Sequence, residues 1–192
     1  KILNYSKAEE TEVTIESIDS SLTRFANNVI HQNVSEERIT ISVRVVVDRR
    51  TASLTTNQLD EASLRKAVET ATKMALLQPP DPNWIPMAEP QNCLPASRFC
   101  KKTSSLDPGE RANTVRTCIR YVEKEKLTAA GIFSTGTNRV SLFNSRGVSL
   151  SHRETNSTFS ITVEGKTSSG WAKHSSPRVE DLQTAELTRR AV

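Results

Sequence analysis

Residues 38–56 read RITISVRVVVDRRTASLTT. Ile39, Ile41, Val43, Val45 and Val47 fall on one face of an extended chain, and Thr40, Ser42, Arg44 and Asp48 lie mostly on the other. Side chains alternate across a strand with period two, so this is the signature of a half-buried β-strand. Asp48-Arg49-Arg50 reads as a tight turn into TASLTT, which makes the stretch an antiparallel hairpin.

Working outward, EVTIESI (12–18) alternates in the same way, with Val13 and Ile15 on one face, and RFANNVIHQ (24–32) reads as a weaker strand. Downstream, residues 60–78 are the first clear helix. Asp60 is the expected N-cap with Glu61 in the first turn, and Leu64, Val68, Ala71 and Ala75 recur at helical spacing. Pro79-Pro80 forbids its continuation. Residues 78–107 carry six prolines (79, 80, 82, 86, 90 and 95) and little periodicity. They read as a stiff connector that Trp84, Leu94 and Phe99 are placed to pin to a surface. Asp107-Pro108-Gly109-Glu110 then opens a helix whose apolar stripe is Val115, Cys118, Ile119 and Val122. Strands are expected at 127–134, 138–143, 148–154 and 158–164, with turns at 144–147 and 164–166, then SSGWAKHSS. A last helix starts near Ser176-Pro177 or Asp181.

The two halves overlay. Residues 2–15 match 119–132 with a shift of 117, ISVRV (41–45) matches FSITV (159–163) with a shift of 118, and RKAV (65–68) matches RRAV (189–192) with a shift of 124. Each unit then reads helix, four strands, helix. The fold class is α+β: two related helix–sheet–helix sub-units with antiparallel sheets, an internal duplication joined by the proline-rich connector. The expected boundaries are 1–77, 78–107 and 108–192, with the second unit truncated in its last helix. By the same overlay KILNYSKA enters a helix part-way, and the TRRAV helix is expected to run about two turns further than Val192.

Composition narrows the function classes. Hydrophobic residues make up 35% of the 192 and charged residues 25%, an ordinary soluble balance. No apolar run approaches the roughly 18 residues of a membrane span, and no signal-peptide pattern is present. Net charge is +4. The basic pairs Arg49-Arg50, Lys101-Lys102 and Arg189-Arg190 are scattered without interleaved aromatics, which argues against nucleic-acid binding. Three cysteines, 93, 100 and 118, form no CxxC site. Cys118 is expected in a core, and free thiols fit a reducing cytoplasm.

No chemistry-bearing constellation stands out. His31, His152 and His174 have no partner at metal-ligand spacing, and HExxH and HExxxH are both absent. There is no GxSxG, GxGxxG or GxxxxGK, and Ser168-Ser169-Gly170 reads as loop chemistry. Catalytic and metal-ligating residues are therefore expected to be none in this chain, with substrate-binding residues undefined.

Residues 42–91 nevertheless resemble the N-terminal region of the TldD/PmbA family. The features are Val47-Asp48, the small-residue return strand at Ala52-Ser53, the pattern T-x-x-L-D-x-x-S-L-x-x-A-V at Thr56 to Val68, the Ala-rich helix from Ala71 to Ala75 and P-P-D-P at Pro79 to Pro82. FNSRG (143–147) is similar to the family's N-S-x-G turn and SSGWAKHSS to its small-residue strand. The resemblance implies a metallopeptidase family, also called modulators of DNA gyrase, acting on peptides or unfolded segments as homo- or heterodimers. It implies a zinc site, an HExxxH helix plus a Cys ligand, C-terminal to these residues in one subunit type and absent from the PmbA-like type, which the P-P-D-P and FNSRG segments resemble more. The implied role is an N-terminal scaffold that shapes substrate access, with no cofactor in this chain and zinc in the full-length protein or its partner. Its sheet edges would accept extended peptides. The alternative is a protein- or nucleic-acid-binding modulator module without peptidase activity.

Overall fold

The structure, a computed structural model, describes residues 1–192. Six strands form one sheet: β1 (Glu10–Ala26), β2 (Val29–Val47), β3 (Arg50–Thr56), β4 (Thr128–Asn144), β5 (Ser149–Glu164) and β6 (Ser169–Ser176), in the order β3-β2-β1-β4-β5-β6. The α-helices are α1 (Glu61–Leu76), α2 (Lys101–Ser104), α3 (Pro108–Lys124) and α4 (Thr184–Ala191), with 3-10 turns at Ile2–Tyr5 and Val179–Leu182. The sheet is antiparallel, so the α+β class expected from the hairpin at 38–56 is the one found.

The strand count differs from the sequence reading. Each half holds three strands instead of four, because β1, β2, β4 and β5 are single strands of 17, 19, 17 and 16 residues. Strands usually run about 5–6 residues. Here the middle of each strand is polar, and in β2 it is also exposed (residues 35–38 read SEER), so the apolar alternation lapses while the backbone stays extended. Alternation reports burial of one face, not extension itself. The strand expected through 24–32 is instead broken by a turn. Asn27 and Asn28 have φ of 50° and 60°, and Asp48 and Arg49 have 49° and 57°. Two successive left-handed residues make the two-residue hairpin turn whose twist matches the flanking strands.

The chain groups into two compact units, and neither is a contiguous segment. One comprises residues 1–17, 38–96 and 139–152, and the other 18–37, 97–138 and 153–192. The division at 77 and 107 follows the sequence overlay, whereas the compact units take one half of each long strand.

In the first unit, Val13, Ile41, Val43 and Val45 of the sheet pack against Val68, Ala71 and Ala75 of α1. The small alanines let the helix lie close on the strands, and each buried valine contributes about 1.5–3 kcal/mol. The Asp60 carboxylate accepts the Ser63 N–H at 2.9 Å, which caps α1, and hydrogen bonding from the Ser63 side chain and then its backbone holds Asp60 below the usual carboxylate range. In the connector, Met87 is buried, Leu94 is 94% exposed and the Asp81 N–H donates to Arg49 O at 2.9 Å.

In the second unit, Phe25, Phe133 and Phe159 form an aromatic core. Phe25 and Phe159 stack at 6.4 Å, and Phe133 meets Phe159 edge-on at 5.9 Å. Val115, Cys118, Ile119 and Val122 of α3 cover it, as their spacing predicted, and the Asp107/Glu110 capping box is formed. Phe99 lies under Arg153, whose guanidinium carbon is 3.6 Å from the ring centroid. Of the three connector side chains expected to act as pins, Phe99 therefore does, Trp84 is half-buried and Leu94 does not, while Met87, which the sequence reading missed, is buried. The last helix starts later than expected, at Thr184, after Gln183 turns left-handed at φ 42°. It sits on β6 because position 170 is glycine: a Cβ there would lie 2.1 Å from Ala191 O.

Asn28 is a joint as well as a turn residue. Its Oδ1 accepts the Ala129 N–H at 2.7 Å, its Nδ2 donates to Leu127 O at 3.0 Å, and its own N–H donates to Ala129 O at 3.2 Å. Asn28→Ala is expected to destabilise the protein by about 2–3 kcal/mol, through two lost side-chain bonds and a Cβ residue with no local hydrogen bond at positive φ. Asn27→Gly is expected to be neutral or stabilising. Urea unfolding of both variants measures the difference.

Candidate functional site

The residues that carry chemistry are dispersed. His31 is exposed on β2, His152 lies on β5 and His174 is exposed on β6. No group of three or more His, Cys, Asp or Glu side chains converges, so the donors present do not fit a zinc site. Cys93 is exposed, Cys100 is partly buried with Sγ 3.8 Å from Glu180 Oε2, and Cys118 is buried. Burial pushes the Cys118 thiol above its ordinary value, opposed by hydrogen bonds to Thr188 and Thr184. The Ser168 carbonyl accepts the Gly165 N–H at 2.9 Å in the β5–β6 loop, whereas Ser169 and Gly170, expected in a loop, begin β6 and pair with β5.

Two polar assemblies are built with more care than an ordinary surface. The first, in the unit containing α1, centres on the turn within FNSRG. Asn144 is buried, its Oδ1 accepts the N–H groups of Arg146 and Val148, and its Nδ2 donates to Ala88 O at 2.8 Å. Gly147 at φ 96° completes the turn. Arg146 pairs with Glu89 and, at 3.1 Å, with the buried Glu10. These two carboxylates raise the Arg146 guanidinium above its ordinary value, Glu89 contributing most. The other Glu10 oxygen accepts the Met87 N–H at 2.9 Å. A turn, the start of β1 and the connector at 87–89 are thereby clamped together. The turn at 144–147 was legible from sequence; Glu10 and Glu89 carried no local signal, because their partner is more than fifty residues away.

The second assembly, in the unit containing α3, is a cleft of about 360 Å³ lined by residues 97–100, Ser176, Pro177, Arg178 and Asp181. Buried hydroxyls join its walls. Thr155 Oγ1 accepts the Cys100 N–H and donates to Pro177 O, while Thr103 Oγ1 donates to Pro177 O and accepts the Val179 N–H. At its edge the connector lies parallel to β5: Arg98 bridges to Glu154, the Thr155 N–H donates to Arg98 O at 3.1 Å, and Arg98 Nε donates to Glu154 Oε2 at 2.9 Å. The Ser176 hydroxyl donates to Asp181 at 2.7 Å with no imidazole among the lining residues, so nucleophile and base are not paired here. What the geometry offers is main-chain docking of an extended segment on a strand edge.

Arg111 is a further residue that sequence reasoning passed over. It is 1% exposed, and its Nη1 donates to Leu106 O at 3.1 Å, while Nε and Nη2 have no protein partner. Burial pushes its guanidinium below its ordinary value, opposed by Asp107 and Asp19.

An antiparallel α+β scaffold with clamped turns, an edge-docked segment and no assembled catalytic group is the class of protein that the fold and these sites define. Residues 11–75 match the family model described as PmbA/TldA metallopeptidase domain 1. The fold is shared with solved structures: TldE from Thermococcus kodakarensis (TM-score 0.86, 17% identity, 96% of this chain and 43% of that one) and a protein from Bacteroides thetaiotaomicron described as a candidate modulator of DNA gyrase (0.85, 16%, 99% and 46%). A Thermotoga maritima protein described in the same terms is similar at 0.82, with 14% identity over 95% of this chain and 42% of that one. None of the curated protein sequences matches. The chain thus matches the first domain of that family over residues 11–75 and shares the fold of structures of which it spans less than half the length.

Two outcomes are expected. Glu10→Gln leaves the Met87 amide and Arg146 with a weaker acceptor and is expected to cost about 1–3 kcal/mol, read as a lower urea midpoint, with proteolysis near 87–89 accelerated. In native protein a thiol reagent is expected to modify Cys93 at once and Cys118 only on unfolding; mass spectrometry of the labelled peptides checks the order.

Proposed function

We propose that this chain is the N-terminal scaffold and substrate-access region of a TldD/PmbA-type metallopeptidase, or of its non-catalytic partner subunit, acting on peptides or unfolded segments in the cytoplasm as a homo- or heterodimer. The observation that carries the reading is the match of residues 11–75 to a metallopeptidase domain. Zinc and the hydrolytic residues would then belong to the remainder of the full-length protein or to its partner. This chain's part would be to position an extended peptide along exposed strand edges by main-chain hydrogen bonds, which read no particular sequence.

The same proposal includes an internal duplication. Adding 118 to β1 (Glu10–Ala26) gives Thr128–Asn144, the bounds of β4. Adding 118 to both partners of the pair Ile41↔Thr56 gives Phe159↔His174, which is also a pair in the structure. The register of β2 with β3 is thus repeated by β5 with β6, which supports two copies of one strand–strand–strand–helix unit on either side of the proline-rich segment.

A second reading, a protein- or nucleic-acid-binding modulator module, draws on the gyrase-modulator descriptions of two structural neighbours and the net charge of +4. Zinc analysis and peptide hydrolysis, run in parallel on the full-length protein with its partner and on the 192-residue chain, test the first reading. Zinc-dependent cleavage by the former and none by the latter is expected. Cleavage by the 192 residues alone overturns the scaffold assignment, and salt-sensitive DNA binding at near-physiological ionic strength would favour the second reading.

A further inference from the structure

β2 is 19 residues long, yet β3 pairs only with Ile41–Val47. Residues 29–37, all within the unit that contains α3, have β1 on one side and no strand on the other. This edge is exposed along most of its length, with Val29 at 61% and Val34 at 45%. An open edge presents a row of backbone donors and acceptors, and proteins blunt such edges or use them. Glu36, Glu37 and Arg38 discourage indiscriminate pairing here, but they also give the edge a charge pattern that a particular partner would match.

The duplicate strand shows what such an edge holds. β6 pairs with β5 only over Ser157–Glu164, which leaves the preceding residues of β5 with β4 on one side and no strand on the other. There the chain's own connector is seated, parallel to β5, with the Thr155 N–H on Arg98 O and the Arg98 guanidinium on Glu154. The shift of 118 that relates the two hairpin registers carries Glu154 onto Glu36 and Thr155 onto Glu37. The carboxylate that takes the arginine in one copy therefore has a counterpart at the same place in the other, on an edge where no segment is seated.

We propose that the edge of β2 at residues 29–37 is a docking site for an extended polypeptide segment bearing a basic residue, lying parallel to the strand with its cation on Glu36 and one of its carbonyls on the Glu37 N–H. The inference rests on the duplication and not on the peptidase reading, so it stands or falls whether or not the full-length protein cleaves peptides.

The test is amide hydrogen exchange followed by NMR on the 192-residue chain, with the acetylated and amidated peptide LPASRF, the sequence of residues 94–99, as the probe. Exchange at alternate amides of 29–37 is expected to slow about tenfold at saturating peptide. Glu36→Lys is expected to weaken binding about three- to fivefold, the size of an exposed ion pair, and a peptide with glutamate in place of the arginine is expected to restore it on that variant. Three results overturn the proposal: unchanged exchange at 29–37 with millimolar peptide, protection confined to 153–156, where the probe would merely compete with the chain's own segment, or protection that rises with protein concentration in the absence of peptide, which would make a second copy the occupant.

Discussion

β1 and β4 are tied at both ends. At one, the Ser145 N–H donates to Thr11 O at 2.8 Å and the Thr11 N–H returns to Ser145 Oγ at 3.0 Å; at the other, Asn28 and Ala129 exchange backbone and side-chain bonds. Between them lie strands of 17 residues each. Without this pairing each half of the chain is a three-stranded meander with an additional open edge, and neither the clamp at Arg146 nor the Asn28 joint has a partner to hold. The pairing also explains why the compact units are not contiguous. Long strands lying antiparallel bring the start of one beside the end of its neighbour, so residues 1–17 group with 139–152 and residues 18–37 with 97–138.

Length has a second consequence. β2 and β5 outrun their hairpin partners, and an outrunning strand leaves main-chain hydrogen bonds unmade on one side. At β5 the chain answers with its own connector and the Arg98–Glu154 pair. That solution supplies backbone order and one charge contact without a side-chain pocket, which suits recognition of extended chains of varied sequence.

Much of this was legible in the residues themselves. The alternation at 39–47, the N-cap at Asp60, the capping box at Asp107 and Glu110 and the apolar stripe of α3 all depend on neighbours fewer than a dozen positions away. The Asn27-Asn28 turn was missed although two left-handed-tolerant residues stood side by side, because the flanking residues continue an extended pattern. The clamp was only half visible: Asn144 and Gly147 mark a turn, but nothing near Glu10 announces that it will be buried against an arginine far along the chain.

From its local pattern alone, then, the chain specifies strands, helices, caps, the α+β class and the family resemblance, since these follow from spacing and short-range hydrogen bonding. Which halves of which strands share a core, that Met87 rather than Leu94 is buried, and that the edge of β5 is occupied while that of β2 is open were settled by packing. The reason is physical: burial and edge pairing depend on residues brought together from distant parts of the chain, and a polar residue in the middle of a long strand looks the same in sequence whether a neighbouring strand lies beside it or solvent does.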